Sequence, residues 1–167
     1  MEKTKAIMLQ IGMSPLEMKK EIDGFVVNRL QYGLLHAAYQ LVEQGIASPS
    51  DIDKAVKDGL GLRWSFMGPF ETIHLNAPKG VDDYCQRYVS ACIQPVMRQI
   101  DNNLTWNSDT WNVIHQDMVA HSSSVDKLPE RCRWRDQRLM DLAKLKQQWN
   151  AHDAEAHQDM KKDETGQ

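Results

Sequence analysis

No apolar run in this 167-residue chain approaches the roughly 20 residues that a bilayer-spanning helix needs. The sequence therefore predicts no membrane contact. Cysteine is scarce, with only Cys85, Cys92 and Cys132, and three thiols do not make a disulfide framework. They read as ordinary buried thiols of a reducing, cytoplasmic compartment. Excess positive charge is also missing. A net charge of −3 and a pI of about 6.1 give no general attraction to nucleic acid or to an anionic membrane surface. The first residues, MEKTKAIMLQIG, carry charges but no apolar stretch ending in small cleavage residues, so no secretory signal is expected there. Nucleotide-site marks are absent too. There is no P-loop, and the nearest approach to GxGxxG is GLGLRW at 59–64. It lacks the third glycine and follows a helical pattern, so it reads as a helix C-terminus. The six histidines show no HExxH-type pairing, and no metal site is predicted.

What is present is helical periodicity. The length suits one domain with its own core. Aromatics are few, yet tryptophan occurs five times, and large indoles commonly anchor packing or interfaces. Residues 2–12 read as a short helix stopped by Gly12. Residues 15–20, PLEMKK, alternate weakly and are the one strand candidate. A single strand leaves its backbone groups unpaired. Asp23 is placed to cap a helix running to Gln44 with a stop at Gly45. In that helix Arg29, His36, Gln40 and Glu43 fall on one narrow polar stripe and nearly everything else is apolar, so it reads as packed and central.

Farther on, SPSD at 48–51 predicts a capped start: Ser48 as cap, Pro49 in the first helical position, Asp51 as box partner. That helix is expected to end at Gly59 and Gly61 in positive φ. Residues 63–67 read as a bulky loop, and Gly68-Pro69 opens a short helix, PFETIHL. Residues 79–100 read as helical, with Pro95 kinking or tightening the pattern. Asp109 is expected to cap TWNVIHQDMVAH. Residues 129–150 make a long helix with Trp134, Leu142, Leu145 and Trp149 on one side. From 153 the composition turns polar and reads as a tail. The fold class predicted is all-α.

Asn28 stands out within GFVVNRLQYGLL at 24–35. It is an amide amid apolar neighbours and off the polar stripe. It is either a core asparagine bonded to nearby backbone or a donor to a ligand oxygen near the positive end of a helix. Glu71 in GPFE suits the first turn of a helix through the dipole, and could also act as an acid or base. The histidines read as solvated or locally bonded.

Three stretches, GFVVNRL at 24–30, ASPSDIDKAVKDGLG at 47–61 and MGPFE at 67–71, together resemble the C-terminal domain of 3-hydroxyacyl-CoA dehydrogenases. NRLQYGLLHAAYQLVEQGIASPSDID, GLGLRWSFMGPFETIHLN and RWRDQRLMDLAKLK resemble in particular the lambda-crystallin branch, the L-gulonate 3-dehydrogenases. The resemblance spans roughly residues 1 to 149. It implies a helical bundle like the C-terminal domain of 6-phosphogluconate dehydrogenase, preceded by a helix–strand stub of a nucleotide-binding domain. The implied division is 1–20 as that stub, 21–152 as the helical substrate and dimerisation domain, and 153–167 as the flexible polar tail.

By the same resemblance the family binds NAD in an N-terminal domain that also supplies a His–Glu pair and a serine. Only the asparagine of the GFxxNR motif carries over here, onto Asn28. The chain alone is therefore expected neither to bind NAD nor to oxidise L-gulonate to 3-dehydro-L-gulonate. Its expected partners are a second copy, in a homodimer through the central and following helices, a nucleotide-binding domain, and a small hydroxy-acid substrate. Arg63 is a candidate for the substrate carboxylate, through a bidentate guanidinium fork. A non-catalytic or crystallin-like dimerisation module, or an acyl-CoA substrate, remains open as an alternative.

Overall fold

The computed structural model describes residues 2–165, with side chains as far as residue 154. The chain divides into two units, Met1–Ala37 and Ala38–Gln167. The long helix α2, Phe25–Glu43, begins in the first and ends in the second. The described residues are helical apart from turns and connections, with no strand among them.

In the first unit α1 spans Glu2–Gln10. It ends as the sequence predicts. Gly12 takes φ +80, its N–H donates to the Leu9 carbonyl, and the Met13 N–H reaches back to the Met8 carbonyl. That is a glycine-terminated helix in which the last carbonyls are satisfied. Lys5 and Glu17 form an ion pair between α1 and the segment that follows. The strand expected over 15–20 is not formed. A ladder needs a neighbour to accept its hydrogen bonds, and none lies among the described residues. Asp23 does not cap α2 either. The cap position falls to Gly24 at φ +74, Phe25 follows at φ 49, and the Phe25 N–H closes the turn on the Ile22 carbonyl.

The second unit continues α2 to Glu43. Gly45 at φ +65 stops it, with Gly45 N–H on the Val42 carbonyl and Ile46 N–H on the Leu41 carbonyl. Helix α3, Pro49–Lys54, starts as read. The Asp51 N–H donates to Ser48 Oγ at 3.1 Å, and the Ser48 hydroxyl donates to Asp51 Oδ2 at 2.7 Å. A wide π turn, Ala55–Leu60, then carries α3 directly into α4, Gly61–Trp64. This corrects the expected stop in GLGLRW. Neither Gly59 nor Gly61 has positive φ, and Gly61 (φ −65) donates to the Val56 carbonyl five residues back. A Cβ on Gly61 would stand 2.9 Å from that carbonyl oxygen. Glycine is required there by the close approach of backbone, not by a turn. Arg63, read as a loop residue, is helical for the same reason.

Helix α5, Pro69–Leu75, begins at Gly68 and Pro69 as predicted. Helix α6, Gly80–Tyr88, passes through a second π turn, Val89–Ile93, into α7, Gln94–Met97. Pro95 has no N–H for the carbonyl four residues earlier, and the chain answers by widening rather than tightening ahead of it. Helix α8 runs Ser108–His121. Its cap is Asn107 rather than Asp109, with Asn107 Oδ1 accepting from the Thr110 N–H at 2.9 Å. A 3₁₀ turn, Val125–Lys127, leads into α9, Leu128–Thr165. The expected tail from 153 is therefore helical backbone to Thr165, in keeping with the good helix formers Ala, Glu, Gln, Met and Lys in that stretch. Its last two residues lie outside the described ones.

Little is buried. Among the described residues, Tyr39 and Ala77 are buried hydrophobic residues, joined by Gln40, Thr72, Thr110, Pro49 and Gly80. Gln40 was expected on the wet stripe, yet it is 5% exposed. Its amide donates to the Gln99 carbonyl at 2.6 Å and accepts from the Asp101 N–H at 3.1 Å. Conversely, most of the apolar surface of α2 is open: Val27, Leu30 and Tyr32 are each about 60% exposed. The three cysteines are exposed as well as free, a correction to the buried thiols expected. The accessible surface is 13,935 Å². A folded monomer of this mass exposes about 8,400 Å², and two separate globules the size of the two units would expose about 9,800 Å². The apolar faces read from periodicity therefore carry much exposed surface among the described residues.

Candidate functional site

In the first unit, the turn into α2 and the segment before it form a groove of about 320 Å³. Leu16, Met18, Gly24, Phe25, Val26, Val27 and Asn28 line it. The local sequence explains the shape. Gly24 and Phe25 in positive φ swing the chain sharply into the helix. Asn28 follows one turn later, beside N–H groups that have no acceptor within a helix and at the positive end of the helix dipole. Its carboxamide is exposed and makes no hydrogen bond among the described residues. It is the one hydrogen-bonding side chain on an otherwise apolar lining, so a ligand oxygen there would meet a donor amid hydrocarbon.

Arg63 belongs to the second unit. It is exposed in the last turn of α4, with no ion pair among the described residues. Glu71 sits exposed in the first turn of α5, where a carboxylate suits the dipole. His121 is locally bonded, its Nδ1 3.2 Å from Asp117 Oδ1 one turn earlier. Asp117 also accepts from the Ser50 N–H at 2.8 Å, tying α8 to the start of α3. No group of three or more metal-ligating side chains occurs among the described residues. Nor do the described residues contain a strand, glycine turn and helix of the kind that seats a dinucleotide. No helix of the described residues is long and apolar enough to cross a membrane.

The carboxyl groups with perturbed protonation are structural. The Ser48 hydroxyl, with Lys54 behind it, holds Asp51 below the usual carboxylate value. Arg87 does the same for Asp83, 2.6 Å away. Two features had no sequence signal. One is the left-handed backbone of Phe25, since nothing in the side chain announces it. The other is the polar tie of Tyr39 and Gln40 to residues 99–107, whose partners are backbone groups.

Residues 24–106 match the 3-hydroxyacyl-CoA dehydrogenase C-terminal domain, and the chain belongs to that family. It is 44% identical over 149 residues to a lambda-crystallin homolog of Rattus norvegicus, covering 89% of this chain and 46% of the relative. A 3-hydroxyacyl-CoA dehydrogenase of Gibberella moniliformis is 34% identical over 143 residues, 82% of this chain and 43% of the relative. An L-carnitine dehydrogenase of a Pseudomonas species is 40% identical over 95 residues, 56% of this chain and 30% of the relative. The chain thus spans about half the length, or less, of the curated relatives it matches.

Proposed function

We propose that this chain is the substrate-binding and dimerisation half of an NAD-dependent oxidoreductase acting on a small 3-hydroxy acid, L-gulonate, in the cytoplasm. The observation that carries the reading is Asn28, an exposed carboxamide on an apolar groove at the start of α2. NAD, held by a separate nucleotide-binding domain, supplies hydride acceptance. The task of this chain is to hold the substrate. Asn28 donates to the reacting oxygen, and a preorganised donor of this kind contributes roughly 3 kcal/mol in the transition state. Arg63, exposed in the second unit, is the candidate partner for a carboxylate through its guanidinium fork. The surplus apolar surface supports a second part of the reading: α2 and the helices after it meet a second copy and the nucleotide domain. Exposed free thiols suit a reducing compartment.

The test is reconstitution. Joined to a nucleotide-binding domain of this family, the chain should reduce NAD in the presence of L-gulonate. Alone, it should show no saturable NAD binding by calorimetry and should sediment as a dimer at micromolar concentration. Saturable NAD binding by the isolated chain, or a reconstituted protein inert toward every 3-hydroxy acid, overturns the enzymatic reading. A monomer throughout overturns the dimer.

A further inference from the structure

We propose that Phe25 is a specificity-determining residue, its ring set by a left-handed backbone to cover the carbon-bound hydrogens of the substrate whose oxygen Asn28 holds. The proposal rests on the reading of Asn28 given above. Among the described residues Phe25 is the only non-glycine with positive φ, at 49°. In that region Cβ crowds the following carbonyl, and a bulky aromatic there is an outlier. Glycine would adopt it without that crowding, as Gly24 does next door at φ +74.

Strain of this kind persists only where something offsets it. Burial does not. Phe25 is 55% exposed, and its ring makes no aromatic or cation contact among the described residues. The ring instead lines the groove with Leu16, Met18 and Val27, three positions before the carboxamide. A ligand with one oxygen on Asn28 would lay its carbon-bound hydrogens against this wall. A substituent hydroxyl turned to the same wall would lose its water and gain no partner. The ring therefore selects which face of a hydroxy acid enters and which carbon carries the oxygen at Asn28.

Two measurements test this. In thermal unfolding of the chain, Phe25→Gly should unfold at a higher temperature than Phe25→Ala, because alanine keeps the strained φ and glycine releases it. In the reconstituted enzyme, both variants should raise KM for L-gulonate about tenfold, with kcat within about twofold of the parent. Phe25→Tyr, which keeps the ring, should restore KM. If Phe25→Gly unfolds below Phe25→Ala, the backbone at position 25 is not strained and the proposal falls. If KM is unchanged in both while Asn28→Ala lowers turnover, Phe25 alone is overturned and the reading of Asn28 stands. If no 3-hydroxy acid is turned over at all, both fall.

Discussion

Tyr39 and Asn107 exchange two hydrogen bonds across the second unit. The Tyr39 hydroxyl accepts from the Asn107 N–H at 2.6 Å and donates to the Asn107 carbonyl at 3.1 Å. Tyr39 is 1% exposed, and its ring stacks on Trp106 at 4.2 Å. Asn107 meanwhile caps α8 and donates its amide to Glu43 at 2.7 Å. One residue thus joins the end of α2 to the start of α8.

Tyr39→Phe keeps the stack and removes both hydroxyl bonds. The N–H and carbonyl of Asn107 then lose their partner in a half-buried setting. A loss of about 1–3 kcal/mol is expected, read by denaturant unfolding. A loss below about 0.5 kcal/mol would mean that water replaces the hydroxyl at no cost.

Gly80 opens α6 at φ +77, and a Cβ there would stand 2.6 Å from the His74 ring. Gly80→Ala should cost about 1–3 kcal/mol from backbone strain and the clash together. Removing the ring as well, in Gly80→Ala/His74→Ala, should return part of that and no more, because φ stays unfavourable. Full recovery in thermal melts would show that the clash was the whole effect.

Asp51 carries a small acid-sensitive contribution at the start of α3. Its bond from Ser48, and then Lys54, depresses its folded value. Above the ordinary carboxylate value both states are ionised and the contribution is complete. As pH falls below that value the unfolded chain takes the proton first and stability declines, until the contribution is gone below the folded value. Melts at a series of pH values should show Asp51→Asn less stable than the parent at neutral pH, with the gap closing in acid. A gap that is constant with pH would remove the ionised carboxylate from the account.

Asn28→Ala should cut turnover of the reconstituted enzyme about a hundredfold. The side chain is exposed, so the melting temperature of the chain should hardly move. Unchanged turnover, or a large loss of stability, would make Asn28 a structural residue.

How far these features were legible follows from where their causes lie. The Ser48–Asp51 cap, the Pro69 start and the Gly12 and Gly45 stops are local chemistry, and the residues announce them. The π turns are also local, but they arise from a carbonyl approaching Gly61 and from the N–H missing at Pro95, which a 3.6-residue template does not contain. Gln40 was misread because an amide on a polar stripe looks the same whether it meets water or the backbone of residues 99 and 101. Asn28 was visible as an anomaly in its motif. Phe25 was not, because φ belongs to the backbone. Exposure of the apolar stripe of α2 was illegible for another reason: periodicity identifies a face that must be covered, and is silent on whether the cover belongs to the same chain.

That uncovered face has a thermodynamic consequence. A helix that leaves Val27, Leu30 and Tyr32 each about 60% exposed holds part of its hydrophobic driving force in reserve for another body. Under the dimer proposed above, folding and encounter are one equilibrium, governed by mass action. Its midpoint in a melt should climb as the solution is made more concentrated, and dilution alone should act as a mild denaturant.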